Sequence, residues 1–224
     1  MSTIPGSATG DLLSGQHPSG ASIAPLAEGA VVLGGFARAA AAELVAAVAA
    51  VAARAPFRHM LTPRGYRMSA AMTNCGSTGW VTDRRGYRYD ARDPESGRPW
   101  PPMASSFRRL ASAAAAAAGY EGFAPDSCLI NRYEPGARLS LHQDKDEGCF
   151  SAPIVSVSLG LPAIFLFGGL RRSDRPRRVR LASGDVAVWG GAARLAFHGV
   201  EPLAEGEDEL TGRCRINLTF RKAL

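Results

Sequence analysis

Several things are scarce or missing in this 224-residue chain, and each removes a class of explanation. The four cysteines, Cys75, Cys128, Cys149 and Cys214, are widely spaced and form no C-x-x-C pair. That excludes zinc-ribbon and redox-motif readings and favours buried, reduced thiols in a cytosolic protein. No charged segment leads into an apolar run at the N-terminus, so no signal peptide is expected. No apolar segment of about 18 residues has the bulk of a membrane span, and the longest are mostly alanine. No internal repeat is present. The expectation is a soluble, cytoplasmic monomer with no membrane partner. Histidine is scarce as well, with four in the chain, at positions 17, 59, 142 and 198.

What is present is an ordinary globular composition, 46% hydrophobic and 21% charged. The length suits one domain, or one domain with an appendage, and is enough to bury a core. Lys and Arg number 26 against 20 Asp and Glu, a net charge of +6, with a pI of about 9.5. This excess is compatible with a nucleic-acid partner without requiring one.

Residues 1–24 are rich in Ser, Gly, Ala and Pro and read as a disordered tail. A short β-type run at 30–33 follows, then an alanine-rich helix over 38–54 with Leu44, Val45, Val48 and Val51 at helical spacing, stopped by Pro56. Residues 57–89 read as a hairpin or two carrying aromatics and arginines. Trp80 and Tyr87 there are either stacking platforms for nucleobases or core residues of a small sheet. The proline-rich connector 93–102 ends an N-terminal unit of helix and lid, 25–100. A second alanine-rich helix, capped by Ser105 or Ser106 and ended by Gly119, opens the remainder, 101–224. Eight short strands are expected there, at 127–133, 139–144, 153–159, 163–167, 177–181, 185–189, 194–198 and 213–221. Strands at this spacing, mostly without helices between them, indicate an all-β sandwich or jelly roll, with the helices as support.

The chemistry concentrates in residues 131–147, NRYEPGARLSLHQDKDE. On a strand, His142 and Asp144 project from one face. With His198 they form the H-x-D…H triad that holds non-haem Fe(II) and leaves positions open for reactants. H-x-D alone is a weak signal. The last strand, RCRINLTFR, strengthens it by alternating Cys214, Ile216, Leu218 and Phe220 with Arg213, Arg215, Asn217, Thr219 and Arg221. Three guanidiniums on one face call for anions. Asn131 and Tyr133 share a face of the strand before the H-x-D strand and add an amide and a phenol suited to a small dicarboxylate. Iron beside a carboxylate-binding arginine strand is the layout of a 2-oxoglutarate-dependent oxygenase.

Taken in order, NRYEPGARLSLHQDKDE, SVSLGLPAIF, GDVAVWGG, RLAFHG and CRINLTFR resemble the AlkB family of nucleic-acid dealkylating dioxygenases, its bacterial members above all. The likeness runs from about residue 24 to 222 and includes the lid stretch MSAAMTNCGSTGW. It implies a double-stranded β-helix core with a nucleotide-recognition lid. It also implies Fe(II) on His142, Asp144 and His198, with 2-oxoglutarate and O2 as cosubstrates. Arg215 and Arg221 would hold 2-oxoglutarate, aided by Asn131, Tyr133 and Asn217. Trp80 would lie against the damaged base opposite His142, with Asp146 near its exocyclic nitrogen. Met68 and Met72 would line the pocket, and Thr62, Tyr87 and Arg172 would touch the nucleic acid from lid and rim. The run 171–180 is denser in arginine than the family pattern and reads as a solvated hairpin with one useful arginine.

The implied reaction is direct-reversal repair of alkylated bases. Methyl groups of the 1-methyladenine and 3-methylcytosine type would be oxidised off single-stranded or flipped-out bases in DNA, with RNA left open. Decarboxylation of 2-oxoglutarate to succinate and CO2 would accompany release of formaldehyde. The alternative is a 2-oxoglutarate oxygenase acting on a protein or small molecule.

Overall fold

The computed structural model describes residues 22–224. It opens on an antiparallel hairpin, β1 (Ser22–Ala27) with β2 (Ala30–Gly34). The expected tail is therefore already a strand at Ser22, because Ser22 to Pro25 pair with Gly34 to Val31 and their backbone groups find partners despite small side chains. The rest of that tail, His17 included, lies outside the described residues. A 3-10 turn at Arg38–Ala40 leads into α1 (Ala41–Arg54), which buries Leu44, Val48 and Val51. Ala55, ahead of Pro56, is extended, as proline forces on its predecessor.

Strands β3 (Ala71–Gly76), β4 (Gly79–Asp83) and β5 (Gly86–Asp90) precede α2 (Ser105–Ala117). The serine cap expected for α2 is not formed. Ala104 occupies the cap, and Ser105 and Ser106 are the first two helical residues. At the other end, Gly119 adopts φ +87°, and the Tyr120 N–H returns to the Ala115 carbonyl at 2.8 Å, closing the helix as a glycine-terminated cap does.

The remaining strands are β6 (Ser127–Tyr133), β7 (Leu139–His142), β8 (Ile154–Gly160), β9 (Ala163–Phe167), β10 (Arg177–Leu181), β11 (Val186–Trp189), β12 (His198–Val200) and β13 (Arg215–Arg221). They form two facing sheets. The larger runs β1-β2-β11-β8-β13-β6-β3 and the smaller β10-β9-β12-β7, with β4-β5 a separate hairpin. Four strands of each sheet (β11-β8-β13-β6 and β10-β9-β12-β7) make the jelly roll.

The larger sheet is covered on both sides. Val155, Val157, Val186, Val188, Ile216, Leu218 and Phe220 share a core with Leu44, Val48 and Phe107 of the helices. Phe107 meets Phe220 edge-on at 5.8 Å between ring centroids. The alternate residues face the smaller sheet, where Trp189, Tyr133 and Leu129 pack with Phe165 and Phe167. Each fully buried side chain of this size contributes about 1.5–3 kcal/mol, several times the propensity differences that favour an alanine-rich helix. Packing on the sheet therefore decides where the helices lie.

Three of the eight strands expected after residue 101 differ from the sequence reading by more than one residue. β7 stops at His142 rather than 144, because Asp144 is drawn off the ladder: its carbonyl accepts from Arg194 and its carboxylate from Arg221. The strand expected at 194–198 begins only at His198. A 3-10 turn at Gly191–Ala193 precedes it, and the Arg194 guanidinium turns inward to the Ala152 carbonyl. β13 starts at Arg215, and Arg213 lies outside it, paired at the surface with Glu205. Two guanidiniums, not three, share the polar face of that strand, and the face is buried rather than wet.

Within 25–100, β1, β2 and β3 belong to the larger sheet and α1 packs on its outer face. The parts that border the cavity are the β4-β5 hairpin, the segment from Thr62 to Ser69 and Met72 of β3. No described helix is long and apolar enough to cross a membrane.

Candidate metal and cosubstrate site

β7 and β12 are neighbours in the smaller sheet, in a register that sets His142 opposite His198. The register shifts between His198 and Val200, and Gly199 permits it, since a Cβ there would lie 2.6 Å from the Leu139 carbonyl oxygen. The two imidazoles stand 4.4 Å apart between centroids. Each Nδ1 is 2.9–3.0 Å from a backbone carbonyl, of Ser140 for His142 and of Ala196 for His198. Donation from Nδ1–H fixes both tautomers with a lone pair on Nε2, as metal ligation requires.

Asp144 completes the group. Its Oδ1 is 3.6 Å from His142 Nε2 and its Oδ2 3.8 Å from His198 Nε2. One ligand atom from each of the three residues lies within 4.8 Å of the others. Burial pushes the Asp144 carboxyl up, but Arg221 and the two imidazoles outweigh it and hold the group well below the usual carboxylate range. Burial, reinforced by His142, lowers His198 to about 4. Both groups are thus in the ligand-competent form at neutral pH.

Behind the triad, β13 turns Arg215, Asn217, Thr219 and Arg221 inward, all buried. Asn217 Nδ2 donates to the Ser156 hydroxyl and the Val157 carbonyl at 2.8 and 3.0 Å, and Asn217 Oδ1 accepts from the Thr219 hydroxyl at 2.9 Å. Arg215, 1% exposed, donates to the Ser158 hydroxyl at 3.0 Å and lies over the Tyr133 ring at 5.2 Å. Among the described residues no carboxylate pairs with it, and its Nε and Nη1 have no partner. Arg221 Nη1 and Asn131 Oδ1 are also unpartnered.

Buried donors left unsatisfied cost about 1–3 kcal/mol each, more for charged groups, so this cluster calls for an anion with several acceptor oxygens. The other buried charges already balance, with Asp144 and Glu147 against Arg194 and Arg221. A divalent ion and a dicarboxylate bring equal and opposite charge and enter without adding a net buried charge. The residues present fit Fe(II) and 2-oxoglutarate.

All fifteen residues singled out from the sequence line one cavity of about 870 Å³. His142, Asp144 and His198 sit beside Asn131, Tyr133, Arg215, Asn217 and Arg221, and Thr62, Met68, Met72, Trp80, Tyr87, Asp146 and Arg172 line the same space. Trp80 and Tyr87 stack on the hairpin, 5.7 Å apart and 18° from parallel. Trp80 Nε1 donates to Asp146 Oδ2 at 2.9 Å. Trp80 is half-buried and also packs on the core, whereas Tyr87 is exposed. Thr62 accepts the Tyr66 N–H in a tight turn, and His59 bonds the Met68 carbonyl.

Sequence reasoning assigned no role to Ser156, Ser158, Trp189, Arg194, Tyr89 or Glu147. The two serines alternate with Val157 and Leu159 in SVSLG, a two-residue period that signals inward polar groups. The partners of Arg194 and Glu147 are far apart in the chain, so no local pattern reports them.

A jelly roll with two histidines and an aspartate on one lip, and an unmatched arginine behind them, defines an iron oxygenase that uses a keto-diacid. The comparisons agree. The 2OG-Fe(II) oxygenase superfamily profile matches residues 29–221. The chain is 60% identical over 199 residues to the alpha-ketoglutarate-dependent dioxygenase AlkB of Escherichia coli, covering 89% of this chain and 92% of that one. It is 50% identical over 181 residues to the AlkB homolog of Caulobacter vibrioides, covering 80% of each. The solved structure of OsALKBH1 superposes with a TM-score of 0.80 at 30% identity, over 90% of this chain and all of the other. The chain belongs to the 2OG-Fe(II) oxygenase superfamily and, within it, to the AlkB family of dioxygenases.

Proposed function

We propose that this dioxygenase removes small alkyl groups from ring nitrogens on the pairing edge of nucleobases, of the 1-methyladenine and 3-methylcytosine type. The observation that carries the reading is the stacked Trp80–Tyr87 pair bordering the same cavity as the His–Asp–His group. An aromatic platform at that position gives a base a surface to stack on beside the metal, and stacking contributes about 1–3 kcal/mol per base. A pairing-edge methyl is unreachable inside a duplex, so the base enters flipped out or from a single strand, and a base that cannot pair costs least to extrude. An alkylated base is cationic, and the indole face and the Asp146 carboxylate both favour a cation.

His142, Asp144 and His198 would hold the iron, each offering one ligand atom. Arg215 takes the distal carboxylate of 2-oxoglutarate, and Tyr133, Asn131 and Asn217 line its path. When bound, iron with 2-oxoglutarate and dioxygen supplies the oxidation that converts the N-methyl to a hydroxymethyl group, lost as formaldehyde, with succinate and CO2 as coproducts. Asp146, by accepting from Trp80, fixes the indole plane. Arg172, Thr62 and Tyr87 reach the sugar-phosphate chain from the rim. The protein acts as a monomer in the cytoplasm, on DNA and also on RNA with unpaired bases.

The test is mass spectrometry of DNA and RNA oligonucleotides carrying 1-methyladenine or 3-methylcytosine after incubation with iron, 2-oxoglutarate and ascorbate. Loss of 14 Da per methyl group in step with succinate is expected. Stimulation of 2-oxoglutarate consumption by methylated peptide, and none by methylated oligonucleotide, would overturn the nucleobase reading.

A further inference from the structure

Asp146 and Glu147 lie just beyond the metal-site aspartate, after Lys145, and their environments are opposite. Asp146 is exposed and accepts from Trp80. The Glu147 side chain is 1% exposed and sits between two buried guanidiniums, Arg194 and Arg221, each at 3.2 Å. Its third partner comes from the hairpin, where the Tyr89 hydroxyl donates to Glu147 Oε1 at 2.7 Å. Tyr89 is the cross-strand partner of Trp80 in the β4-β5 register, so the two residues move together. Arg221 in turn grips Asp144, and Arg194 holds the Asp144 carbonyl at 2.9 Å.

A continuous line of hydrogen bonds and ion pairs therefore runs from the hairpin that carries the aromatic platform, through Glu147 and Arg221, to the metal-site carboxylate. We propose that Tyr89 and Glu147 are positioning residues that couple seating of the β4-β5 hairpin to the alignment of Arg221 and Asp144. Lifting the hairpin withdraws a donor from a buried carboxylate, which is costly in a low-dielectric site. Loosening Arg221 shifts Glu147 and removes the seat of Tyr89. Filling the metal and cosubstrate site then favours the seated hairpin, and by linkage a bound nucleic acid tightens cosubstrate binding by the same factor. The part played by nucleic acid rests on the function proposed above; the coupling of hairpin to cosubstrate does not.

The experiment uses the full chain with Mn(II) and 2-oxoglutarate and follows amide hydrogen exchange across residues 79–90. In the wild type, adding both is expected to slow exchange in this segment severalfold. Tyr89→Phe removes one hydroxyl and is expected to abolish most of that slowing and, by linkage, to weaken 2-oxoglutarate binding in the absence of oligonucleotide by the same severalfold factor. Its KM for methylated oligonucleotide should rise about tenfold, with uncoupled 2-oxoglutarate turnover retained. In a cycle with Glu147→Gln, the double variant should bind oligonucleotide no more weakly than Glu147→Gln alone. Undiminished slowing in Tyr89→Phe, or additive losses in the cycle, would overturn the coupling. If the wild type turns over no methylated oligonucleotide, the nucleobase reading fails while the exchange measurement still decides the coupling.

Discussion

Arg221 binds one oxygen of Asp144 twice, through Nε at 2.9 Å and Nη2 at 2.6 Å, both to Oδ2. That oxygen is occupied, and Oδ1, 3.6 Å from His142 Nε2, is the one left to a metal. A planar fork can hold a carboxylate in this way and a single ammonium cannot. Arg221→Lys keeps the charge but is expected to weaken Fe(II) affinity about 10–100-fold, the range for loss of an outer-shell partner. Equilibrium dialysis would measure it, and an unchanged affinity would mean that the backbone alone orients Asp144.

Removing a metal ligand is a more severe change. His142→Ala, Asp144→Ala and His198→Ala are each expected to abolish iron-dependent succinate formation. Undiminished turnover in any of them would take that residue out of the metal site.

Arg215 makes a sharper case, because it is buried with two donors unpartnered and no carboxylate beside it among the described residues. Arg215→Gln should raise the KM for 2-oxoglutarate about 10–100-fold, the loss of about 1.5–3 kcal/mol for a charged hydrogen bond. Arg215→Met should leave stability without ligand unchanged or increased, since it removes an uncompensated buried charge. The rise in melting temperature that 2-oxoglutarate gives the wild type should disappear in it. A large loss of ligand-free stability in Arg215→Met would show that the guanidinium is held by the fold rather than kept for an anion.

The indole of Trp80 has a stacking face and an N–H, and two variants separate them. Trp80→Ala should reduce demethylation of oligonucleotides more than uncoupled 2-oxoglutarate turnover. Trp80→Phe keeps a ring but loses the bond to Asp146 and should fall between Trp80→Ala and the wild type. Equal losses in demethylation and uncoupled turnover would assign Trp80 to the core instead.

Phe107 tests the support rather than the site. Fully buried and edge-on to Phe220, it lies on the face of the larger sheet opposite the cavity. Phe107→Ala should cost about 3–5 kcal/mol of stability in chemical denaturation while the folded fraction keeps its KM for 2-oxoglutarate. A selective change in KM without loss of stability would contradict a purely supporting role.

The sequence by itself determined most of the strands, though not β1, together with the alanine-rich helices and the two ends of the site. Two-residue alternation in SVSLG and RINLTFR reports burial directly, because successive strand residues face opposite ways. The H-x-D spacing and the distant His198 were legible because metal ligation restricts residue types so tightly. Tertiary structure decided the rest. Asp144 leaves the strand because Arg194 and Arg221, 50 and 77 residues away, pull on it. Arg213 and Arg215 look equivalent in the sequence, yet one pairs with Glu205 at the surface and the other is buried with no counter-charge among the described residues. Glu147 reads as one more acid in a charged turn until folding surrounds it with Tyr89, Arg194 and Arg221. Local pattern records which way a side chain points. Which charges it meets there depends on contacts across the whole chain, and those contacts set the electrostatics of this site.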